Sequence, residues 1–178
     1  MMRVRLADLS TVAAEAIIRP VSADWGAATP ASRRVEMQAG LALDEQCSRL
    51  GEFPVGSAVL TTAGELRATY LINVVVRSLD EPVSMSGVER GLRNGLRRVA
   101  EYALRSVAVA PLGTGAGNLD AEEAARIMVP LLLEYLGTVD EPAELEVVVE
   151  NEYEQDAFEA VARSFELPFL ATQREVEE

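Results

Sequence analysis

Histidine is absent from the 178 residues, and all 16 basic residues are arginine. The first absence excludes an imidazole base, a Ser–His–Asp triad and any histidine-ligated metal. The second excludes a lysine nucleophile, a Schiff base and a phosphate loop that works through a lysine ammonium. Cysteine occurs once, at Cys47, so neither an internal disulfide nor a cysteine-rich zinc site can form. Cys47 falls in a helical stretch with no lysine or histidine partner, which argues against a reactive thiol. No run of 18 apolar residues is present, and the opening MMRVRLADLS holds no apolar signal core. The expectation is therefore a cytoplasmic chain that does not cross a membrane. Positive charge is also scarce: 29 acidic residues against 16 basic ones leave a net charge of −13. That field repels a phosphate backbone, so nucleic acid is not an expected partner. Screening over roughly 8 Å confines the argument to long range, and local backbone dipoles can still hold a small anion.

Apolar residues make up 49% of the chain and charged residues 25%, the balance of a soluble globular domain. A chain of this length can bury roughly 70% of its unfolded surface without a covalent or metal staple. Arg3 and Arg5 alternate with Val4 and Leu6 over 3–6, which predicts a strand with one wet face, pairing antiparallel. Further strands are expected at 15–19, 57–61, 69–76, 106–110 and 145–149. Helices are expected at 31–50, broken near Gly40, and at 84–104, 121–136 and 152–165. Val88, Leu92, Leu96 and Val99 lie on one side of the second, with Gly91 and Gly95 placed for close approach to a neighbour. Arg90, Arg93, Arg97 and Arg98 follow an edge of the same helix, either as a solvated face or as a patch for an acidic partner. Pro130 predicts a kink in its helix, and Asn73, inside an apolar strand, must find a hydrogen bond there. Strands separated by helices give the α/β class: a three-layer α/β/α sandwich on a mixed, largely parallel sheet. Residues 1–165 form the domain, and 166–178 are a C-terminal tail with a polar, mobile end.

The sharpest feature is Gly113-Thr114-Gly115-Ala116-Gly117-Asn118, directly after the apolar strand 106–110. Alternate glycines let the backbone turn its N–H groups inward, and successive inward amides form an anion nest. The loop sits at the carboxyl end of a strand, where α/β sheets place ligands. The competing reading is a plain glycine-rich turn. The spacing is not GxGxxG, so no dinucleotide fingerprint is present. Asp120 and Glu123 open the next helix as caps and would repel an anion on its axis, so a phosphate would sit on the loop amides, to one side.

Several pieces in order resemble the macro domain, an ADP-ribose-binding module: ADLS, AEAII, GEFPVGSAVLT, LRATYLINVVV, VAVAPLGTGAGNLDAEEAA and LEVVVENEYEQDAF. The resemblance runs from about Val4 to Phe165 and implies a six-stranded mixed sheet with a ligand cleft above its carboxyl ends. It also implies that Asp8, with Leu9 beside it, receives the adenine amino group. Gly113 to Asn118 would wrap the distal phosphate and ribose, and Asn151 and Tyr153 would lie near the base. The simpler readings are a helix cap for Asp8 and an ordinary helix start for Asn151. No metal and no cofactor are implied.

Departures from the family pattern point away from hydrolysis. Arg19-Pro20-Val21-Ser22 replaces the family's Asn-Ala-Ala-Asn, so Ser22 stands where an asparagine would orient the distal ribose. Gly26-Ala27-Ala28-Thr29-Pro30 replaces a run of glycines, adding Cβ atoms and removing an N–H. Gly117 replaces an aromatic, Ser32 falls near the hydrolase aspartate, and Glu36 falls near the family's histidine. Trp25 either stacks on a ligand or packs over this loop, and Arg19 pairs either a ligand anion or an acidic side chain. The leading reading is a divergent member that binds ADP-ribose or a related adenine nucleotide with little or no hydrolase activity. The alternatives are a hydrolase using Asp24 and Glu36 to activate water, and a ligand-free module self-associating through Phe165, Leu167, Pro168, Phe169 and Leu170.

Overall fold

A computed structural model describes residues 1–115, 118–140 and 143–176, with side chains described to residue 165. The elements are β1 (Met2–Leu6), a 3₁₀ turn (Leu9–Thr11), β2 (Ala14–Ser22), α1 (Pro30–Ala39), α2 (Leu41–Leu50), β3 (Ala58–Thr62), β4 (Ala68–Arg77), α3 (Met85–Glu101), β5 (Ser106–Val109), α4 (Ala121–Thr138), β6 (Glu144–Val149) and α5 (Glu152–Val176). They form one six-stranded sheet in the order β1-β6-β5-β2-β4-β3. Every neighbouring pair is parallel except β3 with β4.

The expected antiparallel pairing of the first strand is corrected here: β1 runs parallel to β6, with Val4 opposite Val147. Its alternation comes from its place at the sheet edge. Arg3 and Arg5 stay exposed and pair with Glu144 and Glu146, each at 3.3 Å, while Met2 and Val4 pack inward. An edge strand with one wet face carries the same pattern whichever way it pairs. The other edge, β3, is shielded by side chains. Gln46 Oε1 accepts from the Thr62 N–H at 2.9 Å, and Arg98 Nε donates to the Ala58 carbonyl at 3.3 Å. Such contacts blunt an edge against further strand pairing.

Helices α3, α4 and α5 cover one face, where Ile18, Ile72, Leu92, Met128, Val147 and Phe158 are buried together. The other face carries α1 and α2 over Leu9, Ile17, Trp25, Val35, Leu43 and Leu71. Gly91 is what lets α3 close on β4: a Cβ there would lie 2.4 Å from Val74 Cγ1. Helix α4 begins with the expected capping box of Asp120 and Glu123 and runs on through Pro130. The last helix extends to Val176, well past residue 165, where the apolar pattern had ended it.

Candidate functional site

Because β1, β6, β5, β2 and β4 are parallel, the loops leaving their carboxyl ends gather along one edge of the sheet. The loop after β5 is shaped by its glycines. Gly113 has φ +80°, and a Cβ on it would lie 2.6 Å from Val88 Cγ2; Gly115 has φ +126°. Both conformations disfavour an L side chain. The loop also closes on itself: Asn118 N–H donates to Gly115 O and Leu119 N–H to Gly113 O, each at 3.1 Å. Those two amides are held within the loop. Thr114 lies between the two glycines and bridges to Leu119. Ala116 and Gly117 lie outside the described residues.

The loop after β2 is built differently. It folds back as a tight hairpin, with Val21 bridging Ala27. Trp25 N–H donates to Ser22 O at 2.8 Å, Ala28 N–H to Pro20 O at 3.4 Å, and Gly26 N–H to Asp24 Oδ1 at 3.1 Å. Its amides are thus turned to its own closure, consistent with the loss of the glycine run. Trp25 adopts φ 73° and packs down into the core, its Nε1 donating to Gly51 O at 2.6 Å and its ring edge-on to Phe53 at 5.7 Å. Packing, not ligand stacking, accounts for this tryptophan.

At the β1 and β6 end, Asp8 caps the 3₁₀ turn. Its Oδ1 accepts from Ser10 N–H at 2.9 Å and from Ser10 Oγ at 2.7 Å. Arg34, reaching from α1, places Nε 3.5 Å from the same oxygen and pairs through its other end with Glu150. The Ser10 hydroxyl is the main cause holding the Asp8 carboxyl below its ordinary 3.8; the Ser10 N–H and Arg34 add to this, and burial opposes it. A carboxyl lowered on folding stabilises the fold above its unfolded value, and that contribution is lost as pH falls through the folded value. Asp8→Asn is therefore expected to flatten the acid limb of stability below pH 3.8 in thermal melts; an unchanged limb would contradict the assignment. Leu9 is only 1% exposed and packs into the core beside Ile17 and Val35, not as an open contact. Asn151 Oδ1 accepts from Glu154 N–H at 2.9 Å, capping α5, and Tyr153 lines the groove between α4 and α5 beside Glu122 and Arg126.

The Macro domain profile matches residues 29–128, more than half of the chain. The chain belongs to the macro domain family. A protein of Aeropyrum pernix is 29% identical over 128 residues, 70% of this chain and 67% of that one. A Mycobacterium tuberculosis protein is 28% identical over 72% of this chain, a match that spans only 36% of that protein's own length. Among solved structures, the Trypanosoma brucei macrodomain in complex with ADP-ribose matches with a TM-score of 0.81 at 17% identity, covering 89% of this chain and 68% of that chain. The same macrodomain is also solved with ADP.

In this macro domain the positions under β2 are tied up inside the protein. Ser22 Oγ accepts from Arg77 Nε at 2.8 Å. Ser32 donates its buried hydroxyl to Pro20 O at 2.7 Å. Arg19 is 1% exposed; its Nε donates to Asn73 Oδ1 at 2.7 Å, and its Nη1 lies 3.4 Å from Ser32 O and 3.5 Å from Glu36. Asn73 passes the network on to Val59 O and Thr61 Oγ1. Arg19 thus answers groups of the protein itself, two side chains and a backbone carbonyl. Asp24 and Glu36 do line one cavity of about 270 Å³, with Arg19 and Cys47. Burial pushes the Cys47 thiol up, against the pull of Arg19. Among the described residues no group of three or more metal-ligating side chains occurs, and no helix is long and apolar enough to cross a membrane. Arg34, Glu150 and Arg77 are not marked by the sequence. Their partners lie far away along the chain, so no local spacing signals them.

Proposed function

We propose that residues 1–165 of this macro domain bind ADP-ribose or a related adenine nucleotide across the carboxyl ends of β2, β5 and β6, and hydrolyse ADP-ribosyl bonds little or not at all. The observation that carries the reading is the loop at Gly113 and Gly115, whose positive φ values and close packing on Val88 only glycine fits. Positions without a Cβ let a diphosphate approach the loop's N–H groups closely. Charge-assisted hydrogen bonds of this kind contribute roughly 1.5–3 kcal/mol each before ordering costs. Asp8 would receive the adenine amino group, with Leu9 as the wall behind it. Ser22, Thr114, Ala116, Gly117, Asn118 and Asn151 complete the set of contacts. ADP and ADP-ribose in the related Trypanosoma brucei structures support the ligand class.

Weak hydrolysis follows from the state of the side chains near β2. The Ser32 hydroxyl is committed to Pro20 O, the Ser22 hydroxyl receives Arg77, Glu36 pairs with Arg19, and Asp24 holds Gly26 N–H. Each of these groups already holds a partner within the protein, which restricts how it can orient a water molecule. The net charge of −13 argues against nucleic acid as a partner.

Calorimetric titration with ADP-ribose, ADP and AMP tests the proposal. ADP-ribose is expected to bind with a dissociation constant on the order of micromolar, about −8 kcal/mol, and AMP more weakly. Absence of heat with all three would contradict it and favour a ligand-free module. Release of free ADP-ribose from a modified protein, lost in the Asp24→Asn, Glu36→Gln double variant, would instead make the domain a hydrolase.

A further inference from the structure

Resting on the reading that places adenine beside Asp8, we propose that Arg34 is the platform for the base: its guanidinium, held by its edges between Asp8 and Glu150, offers a flat cationic face on which a purine stacks. Arg34 would then be the residue that makes the site selective for ligands carrying an aromatic base.

The geometry supplies the argument. All N–H bonds of a guanidinium lie in its plane, so carboxylates that pair with them take its edges and leave its faces open. Arg34 pairs at two ends, Nε with Asp8 at 3.5 Å and Nη2 with Glu150. The two acids come from different places, one after β1 and the other after β6. Two separately anchored partners restrict rotation of the group, as a platform requires. The Arg34 side chain remains 41% exposed, so part of it is accessible to a ligand.

The division of labour at Asp8 fits the same picture. Its Oδ1 is occupied by Ser10 and Arg34, while no hydrogen bond reaches Oδ2 among the described residues. An amino group on a ring lying against Arg34 could donate to that second oxygen. Described aromatic rings do not offer the surface instead. Trp25 and Phe53 pack on each other, Tyr70 packs on Tyr102, Phe158 is buried, Tyr153 and Phe165 line the groove between α4 and α5, and Tyr135 lines the one between α3 and α4. The flanking carboxylates also offset the charge of Arg34, which suits it to a neutral aromatic face more than to the ligand's phosphates. The planar, delocalised guanidinium also stacks on an aromatic face by its shape.

The test titrates the full chain with ADP-ribose and, separately, with inorganic pyrophosphate, for the wild type, Arg34→Lys and Arg34→Met. Lysine keeps the charge and loses the plane; methionine loses both. ADP-ribose is expected to bind about tenfold more weakly to both variants, a typical effect for a partly desolvated cation–π contact. Pyrophosphate binding is expected to stay as in the wild type, which also shows that each variant is folded. Wild-type affinity for ADP-ribose in Arg34→Lys would overturn the platform, since charge alone would then suffice. Tighter binding in Arg34→Met would overturn it as well, because the guanidinium would then be obstructing the base. If the wild type takes up neither probe, the ligand reading itself falls; if it binds both and the variants change nothing, only the role of Arg34 falls.

Discussion

Replacing Arg19 by leucine is expected to lower the free energy of unfolding by about 3–5 kcal/mol, the usual cost of removing one partner from a buried charge network. The side chain is 1% exposed and sits in the middle of β2. Its loss would leave Asn73 Oδ1 without its donor inside the sheet and Glu36 without its cation. Burial pulls the Arg19 guanidinium below its ordinary range, and Glu36 opposes that shift, so the charge is retained through its partners. An unpaired buried acceptor costs its desolvation, whereas removing both partners together costs far less. The Arg19→Leu, Asn73→Leu double variant removes the orphaned acceptor but also the donor to Val59 O and Thr61 Oγ1, so it is expected to regain only part of the loss. Urea unfolding reads both. A loss under about 1 kcal/mol for Arg19→Leu would place that variant among ordinary surface substitutions and contradict the network account.

The second large effect is on binding. Gly115→Glu is expected to weaken ADP-ribose by at least about 100-fold, close to loss of detectable heat. Two causes act together. Gly115 holds φ +126°, a conformation that strains any L residue. The added carboxylate would also project from the loop that the proposal gives to the phosphates, where like charges repel at short range. Among the described residues, its chain neighbours aside, the one atom within 4 Å of the new Cβ is Asn118 Nδ2 at 3.5 Å, so the fold should tolerate the change. Retained binding with an intact melting curve would remove the loop from the site.

Much of this architecture was legible because it is local. The spacing of Val88, Leu92, Leu96 and Val99 marks the face α3 buries, and Gly91 marks its contact with Val74. The run 106–110 followed by alternate glycines and the Asp120–Glu123 box outlines the strand, loop and helix around the candidate phosphate site. What failed depends on long-range pairing. Edge position gives β1 a pattern that fits either direction of its neighbour, so its parallel pairing could not be read. The composition of the Gly113–Asn118 loop says that every second residue lacks a side chain, but not that the Asn118 and Leu119 amides turn to its own carbonyls. Likewise, the identity of Arg19 left a ligand anion and an internal partner equally open. Only the placement of Asn73, Ser32 and Glu36 around it decides between them. Arg34 and Arg77 carried no signal, because Asp8, Glu150 and Ser22 meet them only in the folded chain.

The most direct test is to follow the backbone amide resonances of the isotopically labelled protein while ADP-ribose is added. If the loop after β5 holds the diphosphate, the largest shifts fall on Thr114, Gly115 and Asn118, with a second group at Asp8 and Ser10. Shifts confined to Asp24, Cys47 and Ser48 around the cavity beside Arg19, with the glycine loop unmoved, would contradict the account.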